Sequence, residues 1–203
     1  MPTTGSLRSE TLLDSAAEGR LPHWARAGDA RRAHIARVAG LMDRWAAALE
    51  LGELERRRWR AAAWLHDVVR DAPPSELRPH AGAEFDGLPG KLLHGPAAAA
   101  LLRAEGVDDE PLLTAIAFHT LGDASFDTLG RALYAADFLE PGRTFNPVMR
   151  AVLRARMPHA LDEVVFSILR SRIGHLMEAG SPIHPRTIGF WNTLAAEQRA
   201  SAH

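Results

Sequence analysis

The sequence of 203 residues contains no cysteine, which excludes disulfide bonds and thiolate metal ligands. Any metal bound by its side chains must therefore have nitrogen or oxygen ligands. A strong charge of one sign is also absent, because 24 basic and 25 acidic residues give a formal net charge of -1. At the level of the whole chain nothing favours binding to nucleic acid or to anionic lipid, so neither partner is predicted.

Long apolar runs are absent as well. No stretch approaches the roughly 18 apolar residues of a membrane span, and the first ten residues lack the basic and apolar regions of a secretory signal. We therefore expect no membrane partner and a cytoplasmic location. Strand-like alternation is nearly missing while helix start and stop signals recur, which predicts an all-α fold. We expect a single helical domain over residues 21–203, preceded by an N-terminal extension over 1–20.

Caps and helix breakers predict the boundaries of the helices. Asp29 can cap a helix that runs to about Leu51 and stops at Gly52, and a second helix from Glu53 has to end by about Asp71. Residues 72–91 are rich in proline, glycine and charge, which predicts a long surface connection and a candidate lid. Later helices are predicted to begin near Pro96, Asp109, Asp127, Asn146, Leu161 and Pro185.

Six histidine and aspartate residues stand out against this helical pattern: His34, His66, Asp67, His94, His119 and Asp137. A single histidine on an apolar helix face is usually a hydrogen-bonded core residue. Repeated burial of polar groups on such faces is costly, however, unless something binds them. Neutral imidazoles and carboxylates together suit borderline divalent metals. The six groups could hold two ions around a shared carboxylate, which predicts a metal-dependent hydrolase.

The order of these residues on consecutive helices resembles the HD-domain phosphohydrolases. More narrowly, it resembles the YqeK-type HD proteins, which are symmetrical dinucleoside tetraphosphate hydrolases. The matching segments follow the family order over about 160 residues and lie at 31–34, 63–67, 92–95, 115–122, 135–143 and 183–192. The fold that this resemblance implies is a single HD-domain helical bundle.

The resemblance also implies a set of metal ligands. Asp67 would bridge two ions, of which the first is also bound by His34, His66 and Asp137 and the second by His94 and His119. Iron is the typical metal in such family members, with manganese, cobalt or zinc as alternatives. The implied substrate is a small nucleotide, diadenosine tetraphosphate, and a metal-activated hydroxide would attack a β-phosphorus and release two ADP.

Four further residues match family positions around the site. Arg70 stands where the family usually carries lysine, so a bidentate guanidinium replaces a point-charge ammonium. It either binds phosphate and assists catalysis together with the bridging aspartate, or forms a salt bridge at a helix end. Thr120, Gly122 and Arg143 are assigned to substrate binding with Arg70. For Arg143 the alternative is an ion pair with Glu140.

The remaining aromatic and histidine residues receive no functional role. Trp64, Phe118, Tyr134 and Phe145 either stack on adenine or pack in the core, and core packing is favoured. The other six histidines are expected at the surface or as helix caps: His23, His80, His159, His175, His184 and His203.

Three functions compete on the sequence alone. The first is a dinucleoside polyphosphate hydrolase, the second an HD phosphohydrolase of nucleoside monophosphates or guanosine polyphosphates, and the third a metal-bound regulatory module without turnover. Segments 135–143 and 187–192 favour the first, and the presence of all six ligand positions disfavours the third. The oligomeric state, including a homodimer, stays open.

Overall fold

The computed structural model describes residues 12–85 and 87–201, and within these ranges it contains helices and no β-strand. The all-α fold is confirmed. The helices are α1 at residues 12–17, α2 (Asp29–Ala48), α3 (Glu53–Leu65), α4 (Pro74–Ala81), α5 (His94–Ala104), α6 (Glu110–Phe118), α7 (Thr128–Leu139), α8 (Pro147–Arg156), α9 (Leu161–Glu178) and α10 (Pro185–Ser201). Two short 3₁₀ helices, Ala83–Phe85 and Gly90–Leu92, precede α5. No helix in the described part is both long enough and apolar enough to cross a bilayer.

Helix α7 lies at the centre of the bundle. It packs against α2, α3, α6, α8 and α9, and all its residues from Leu129 to Leu139 except Arg131 are buried. A helix that is apolar around its whole circumference is typical of such a central position. Asp127 caps it as predicted, because its side chain accepts a hydrogen bond from the Gly130 N–H. The helix thereby carries Asp137 into the interior.

The His-Asp pair lies just beyond α3 and not inside it. Residues 66–71 form successive turns, with hydrogen bonds from the Val68 N–H to the Leu65 carbonyl and from the Arg70 N–H to the Asp67 carbonyl. The regular-helix divergence of about 100° between adjacent side chains therefore does not apply to this pair. Tertiary hydrogen bonds explain the early end of the helix: Asp71 binds the Gly28 N–H through its carboxylate and the Arg26 carbonyl through its own N–H.

The segment 72–91 is more ordered than the predicted surface connection. It contains α4, whose Leu77 and Ala81 are buried four residues apart on one face, and the buried Phe85 follows in a 3₁₀ turn. Helix α4 packs against α5. The buried apolar residues of α4 stabilise a helix in this segment despite its proline and glycine residues, because the helix packs against α5.

Three predicted boundaries need smaller corrections. Helix α2 ends at Ala48, and Glu50 turns the chain with a φ of 55°, whereas Gly52 is the N-cap of α3. Helix α5 begins at His94, two residues before Pro96. Ala16 and Ala17 of α1 are buried in the core, so part of the predicted extension packs on the domain. Residues 1–11 of that extension, and His203, lie outside the described residues.

Candidate metal centre

Five helices bring the six predicted ligands into one buried cluster. His34 lies in α2 and Asp137 in α7, His66 and Asp67 follow α3, His94 begins α5, and His119 follows α6. The side chains are almost fully buried, since these residues are between 0% and 6% exposed. Residues distant in the sequence thus meet because helix ends and helix interiors converge at one point.

Asp67 occupies the middle of this cluster and divides it into two sides. Its Oδ1 atom lies 3.1 Å from His94 Nε2 and 3.5 Å from His119 Nε2. Its Oδ2 atom lies 3.6 Å from His34 Nε2 and 3.7 Å from His66 Nε2. One carboxylate therefore presents a separate oxygen to each of two imidazole pairs, as a ligand shared by two ions would.

Each imidazole is held from its outer side. The Nδ1 atoms of His66, His94 and His119 lie 2.7, 3.0 and 2.8 Å from the backbone carbonyl of the residue three positions earlier. His34 Nδ1 lies 3.3 Å from Glu140 Oε1. Because these acceptors place the proton on Nδ1, the unprotonated Nε2 atom of each ring points into the cluster. This orientation is the one that metal-binding histidines require.

The inward nitrogen atoms lack the partners that a buried polar atom needs. His34 Nε2 and His66 Nε2 have no hydrogen-bond partner among the described residues. His94 Nε2 and His119 Nε2 lie 3.1 Å apart, so two lone pairs face each other unless a cation or a proton lies between them. His34, His66 and Asp67 can reach one ion, and Asp67, His94 and His119 another. The donor set therefore fits divalent metal binding.

Burial keeps two of these imidazoles, His66 and His94, from protonating near pH 7. It lowers the pKa of His66 to about 4 and also lowers the pKa of His94, because the charged form is poorly solvated. At His119 burial acts in the same direction, but the hydrogen bond and the negative charge of Asp67 outweigh it and raise the pKa. His66 and His94 are consequently neutral near pH 7, the state in which imidazole binds a metal.

The two carboxylates remain ionised in spite of their burial. Burial alone would raise the pKa of Asp67, but the surrounding imidazoles of His66, His119 and His94 hold it well below its usual range. The pKa of Asp137 is lowered in the same way by His34 and by Arg143. The cluster therefore combines the neutral imidazoles of His66 and His94 with buried negative charge, which favours a bound cation.

Two arginines contact carboxylate oxygens that also face imidazoles of the cluster. Arg31 Nη1 lies 2.6 Å from Asp67 Oδ2, and Arg143 Nη2 lies 2.6 Å from Asp137 Oδ1. Arg143 is also 3.8 Å from Glu140 through its Nε atom, so the ion pair considered from the sequence is the longer of its two. Sequence reasoning gave Arg31 no role, although it lies three residues before His34 and thus one helix turn away.

A cavity of about 830 Å³ opens above the cluster, and Asp67, His94, His119 and Asp137 form part of its wall. This volume lies in the range of small-molecule sites, about 300–1,000 Å³. Three of the predicted substrate-binding residues, Arg70, Thr120 and Arg143, border the cavity. Residues 87–89, together with Lys91 and Leu92, also border it, whereas α4 does not. Of the candidate lid at 72–91, only the end of the segment borders the cavity, and its closure over a ligand stays a prediction.

Arg70 and Gly122 occupy different surroundings. Arg70 borders the cavity and forms no ion pair with any described residue, which leaves its guanidinium without the predicted alternative partner. Asp71, the neighbouring acid, is instead bound by Arg31 and the Gly28 N–H. Gly122 lies behind the cavity wall with a φ of 79°, and a Cβ there would meet the Phe190 ring at 2.3 Å. Its role in substrate binding stays a prediction.

Most of the histidines without an assigned function lie at the surface or at a helix cap, as predicted. His23, His80 and His159 are exposed, and His184 caps α10 by accepting the Arg186 N–H. His175 and His184 nevertheless border the cavity. Trp64 contacts Gly19, and Phe118 lies under the Arg186 guanidinium, whereas the other two aromatic residues, Tyr134 and Phe145, form part of the cavity wall.

Besides Arg31, sequence reasoning missed two further arginines in the cavity wall, Arg150 of α8 and Arg172 of α9. A signal was available for both. Arg172 is four residues after the apolar Ile168 and three before His175, so it lies on the same face of α9 as Ile168. Arg150 lies three residues before the buried Leu153, on the same face of α8. A charged residue on an apolar helix face marks a buried polar group that needs a partner.

Comparison with known proteins agrees with this geometry. Residues 31–142 match the family model described as the HD domain. A protein of Halalkalibacterium halodurans named "Bis(5'-nucleosyl)-tetraphosphatase, symmetrical" is 31% identical over 163 residues, which cover 75% of this chain and 85% of the relative. A protein of the same name from Bacillus subtilis is 30% identical over 159 residues, or 73% of this chain and 84% of the relative.

A solved structure has a similar fold over nearly the whole chain. It is the crystal structure of a predicted HD superfamily hydrolase involved in NAD metabolism, as its title reads, from Clostridium acetobutylicum. The two chains are 26% identical with a TM-score of 0.73, and the similarity covers 93% of this chain and 97% of the other. The family match spans more than half of the residues and includes the helices that supply the buried histidines and aspartates. The chain therefore belongs to the HD domain family of metal-dependent phosphohydrolases.

Proposed function

We propose that this protein hydrolyses dinucleoside tetraphosphates and cleaves diadenosine tetraphosphate symmetrically into two molecules of ADP. The observation that carries the proposal is the placement of Asp67, whose two oxygens face separate imidazole pairs at the wall of an arginine-lined cavity. Two relatives that this chain covers for more than four fifths of their length bear the corresponding name. The family, the donor set and the cavity together support hydrolysis of a phosphoanhydride bond over a non-catalytic role.

We further propose that the cluster holds two divalent ions, with iron as the metal that the resemblance implies. One ion would be bound by His34, His66 and Asp137, the other by His94 and His119, and Asp67 would be common to both. A metal bound there lowers the pKa of a water molecule and polarises a phosphoryl oxygen. Metal analysis of anaerobically purified protein tests both the identity and the number of ions.

The protein's own side chains bind and orient the polyphosphate in this proposal. Arg70 supports such a role because it has no ion-pair partner among the described residues, and its charge helps to lower the pKa of the adjacent His94. Arg143 contacts Asp137 through one nitrogen and leaves further donors of its guanidinium for a phosphate oxygen. Thr120 adds a hydroxyl at the same wall. Together these residues hold the reacting phosphorus beside the metal centre.

The products of the reaction test the proposal. Protein loaded with iron or manganese is incubated with diadenosine tetraphosphate, and the products are separated by chromatography, with metal-stripped protein as the control. Symmetrical cleavage gives only ADP, whereas equal amounts of ATP and AMP would reject it. Absence of turnover together with clear turnover of a nucleoside monophosphate would assign the protein to the rival class of HD phosphohydrolases.

Three sequence-based expectations stay predictions. They concern the cytoplasmic location, the absence of nucleic acid as a partner, and the assembly state, for which a homodimer is one alternative. The small-molecule nucleotide is the partner that the proposed reaction requires.

A further inference from the structure

Two arginines in the cavity wall, one buried and one partly buried, have no carboxylate partner in the described part of the chain. Arg150 is 6% exposed, and the Nη1 atoms of both Arg150 and Arg172 are inaccessible to solvent and have no hydrogen-bond partner in the described part of the chain. Other enclosed arginines of this protein are paired: Arg58 binds Asp109 and Arg131 binds Glu197. Unpaired buried guanidinium groups are therefore unusual in this structure.

Aromatic rings cover the faces of these two guanidinium groups. The Cζ atom of Arg150 lies 3.9 Å from the centroid of the Phe138 ring, and that of Arg172 lies 5.7 Å from the same centroid and 5.0 Å from that of Tyr134. Arg150 also donates an Nε hydrogen bond of 2.6 Å to the Phe145 carbonyl. Stacking occupies a guanidinium face but leaves the N–H donors in its plane available. The two side chains are held in place with donors still free.

The nearby acids do not neutralise this pair. Asp137 and Glu140 attract Arg150, but Asp137 is bound by Arg143 at 2.6 Å and Glu140 by Arg37 at 2.6 Å. Burial, together with repulsion from Arg143 and Arg172, lowers the pKa of Arg150. Buried positive charge without a counter-charge is costly, and cation–π contact offsets only part of that cost. A bound anion would supply the missing interaction.

We propose that Arg150 and Arg172 form a second anion-binding site in the cavity, the distal subsite, which binds the phosphate groups of the nucleotide that lie farther from the metal centre. The guanidinium fork matches two phosphate oxygens at once. Arg143 contacts Asp137 at the metal centre and is near enough to Arg150 to repel it, so the two sites are neighbours in one cavity wall. A long polyphosphate chain can therefore reach both, which makes the distal subsite a determinant of chain-length selectivity. The identity of this ligand rests on the proposed function, whereas anion binding itself does not.

Binding of a diphosphate analogue tests the subsite without any turnover. Metal-loaded wild-type protein is titrated calorimetrically with methylenediphosphonate, which is not hydrolysed, and compared with Arg150→Gln and Arg172→Gln. Affinity is expected to fall about tenfold to a hundredfold in each variant, as for loss of a charge-assisted hydrogen bond. Arg170→Gln is the matched control, because Arg170 is an exposed residue of the same helix outside the cavity wall. Identical isotherms for all four proteins would overturn the proposal.

Kinetics with diadenosine tetraphosphate separate binding from structural damage. The expected result is a higher KM with a smaller change in kcat, unchanged metal content, a melting temperature no lower than that of the wild type, and partial rescue by Arg172→Lys. Methylenediphosphonate should compete with the substrate in the wild type. A purely non-competitive effect would show that the subsite binds a separate free phosphate and would overturn its role in selectivity.

The two proposals fail in distinguishable ways. If diadenosine tetraphosphate is not hydrolysed but the binding of methylenediphosphonate still depends on both arginines, the proposed function is wrong and the distal subsite stands. If the variants and the wild type hydrolyse the substrate equally well, the subsite is wrong and the proposed function stands.

Discussion

The histidines of the metal centre are oriented largely by local hydrogen bonds. His66, His94 and His119 each bind the carbonyl three residues earlier, so the position of Nε2 follows from the helix end on which the residue lies. His34, which lies within α2, uses Glu140 from the region after α7 instead. Loss of the Glu140 carboxylate would therefore release only one ring. Such outer contacts set the tautomer of a ligand and its basicity.

The residue types and their order predicted which side chains gather at the centre. The pattern could not predict how the oxygens of Asp67 are divided, because this depends on the turns after α3. It also could not predict the pairing of Arg31 with Asp67 or of Arg143 with Asp137, since both pairs join groups whose distance is set by the packing of whole helices or loops.

Replacement of Arg70 by alanine is expected to impair catalysis and leave the metal content unchanged. Arg70 borders the cavity without an ion-pair partner among the described residues, so its free donors can bind a phosphate. Loss of one charge-assisted hydrogen bond costs about 1.5–3 kcal/mol in kcat/KM, or roughly tenfold to a hundredfold. Steady-state kinetics and metal analysis provide the measurement. Arg44→Ala, an exposed position of α2, is the control, and unchanged kinetics of Arg70→Ala would contradict the assignment.

At the scale of helices, the predicted caps of α6 and α7 are confirmed, whereas the cap predicted at Asp29 is wrong, because Asp29 lies in the first turn of α2 and Gly28 is the N-cap. Asp109 and Asp127 cap α6 and α7 through hydrogen bonds to backbone N–H groups of the first turn. The larger errors occurred where a tertiary contact replaces a helical hydrogen bond, as at Asp71, or where apolar residues build a helix in a segment rich in proline, as at Leu77. Sequence patterns report local preferences, and these two segments are determined by their neighbours.

Asp109 connects two helices that lead to the candidate metal centre, α3 and α6. Its carboxylate caps α6, which leads to His119, and binds the guanidinium of Arg58 on α3, which leads to His66, at 2.8 Å. Asp109→Ala removes both interactions and is expected to lower the free energy of unfolding by about 1–2 kcal/mol. Asp109→Asn keeps a capping oxygen and loses the charge, so the smaller loss it causes isolates the ion pair. Urea denaturation at pH 7 measures both.

The contribution of this ion pair should depend on pH with a defined sign. Burial alone would raise the pKa of Asp109, but hydrogen bonds from Arg58 and from the Leu112 N–H outweigh it and lower the pKa below the ordinary 3.8. A lowered pKa in the folded state stabilises the protein above pH 3.8 and loses that effect as the pH falls through the folded value. The difference between wild type and Asp109→Asn should therefore shrink in that acidic window. A difference that is constant from pH 7 to pH 2 would contradict this reading.

At the scale of the whole molecule, the centre joins helices that are far apart in the sequence. Its residues come from α2, the end of α3, α5, the end of α6 and α7, which also form the apolar core. Buried carboxylates and imidazoles at such a junction oppose close packing unless they are compensated. A metal that binds only the folded arrangement would therefore connect five helices and stabilise the entire domain.

Metal binding is consequently expected to raise the melting temperature. At a free metal concentration of about one hundred times the dissociation constant, a single site adds about 2.7 kcal/mol. For a domain of this size that corresponds to a shift of roughly 5–10 °C. Thermal unfolding of chelator-treated protein, with and without added manganese or iron, measures the shift.

Asp67→Ala should abolish both the shift and the activity, because Asp67 faces both imidazole pairs. Asp162→Asn, at an exposed ion pair with Arg131, should retain both. A fully active and metal-loaded Asp67→Ala protein would contradict the assignment of a shared ligand at this position.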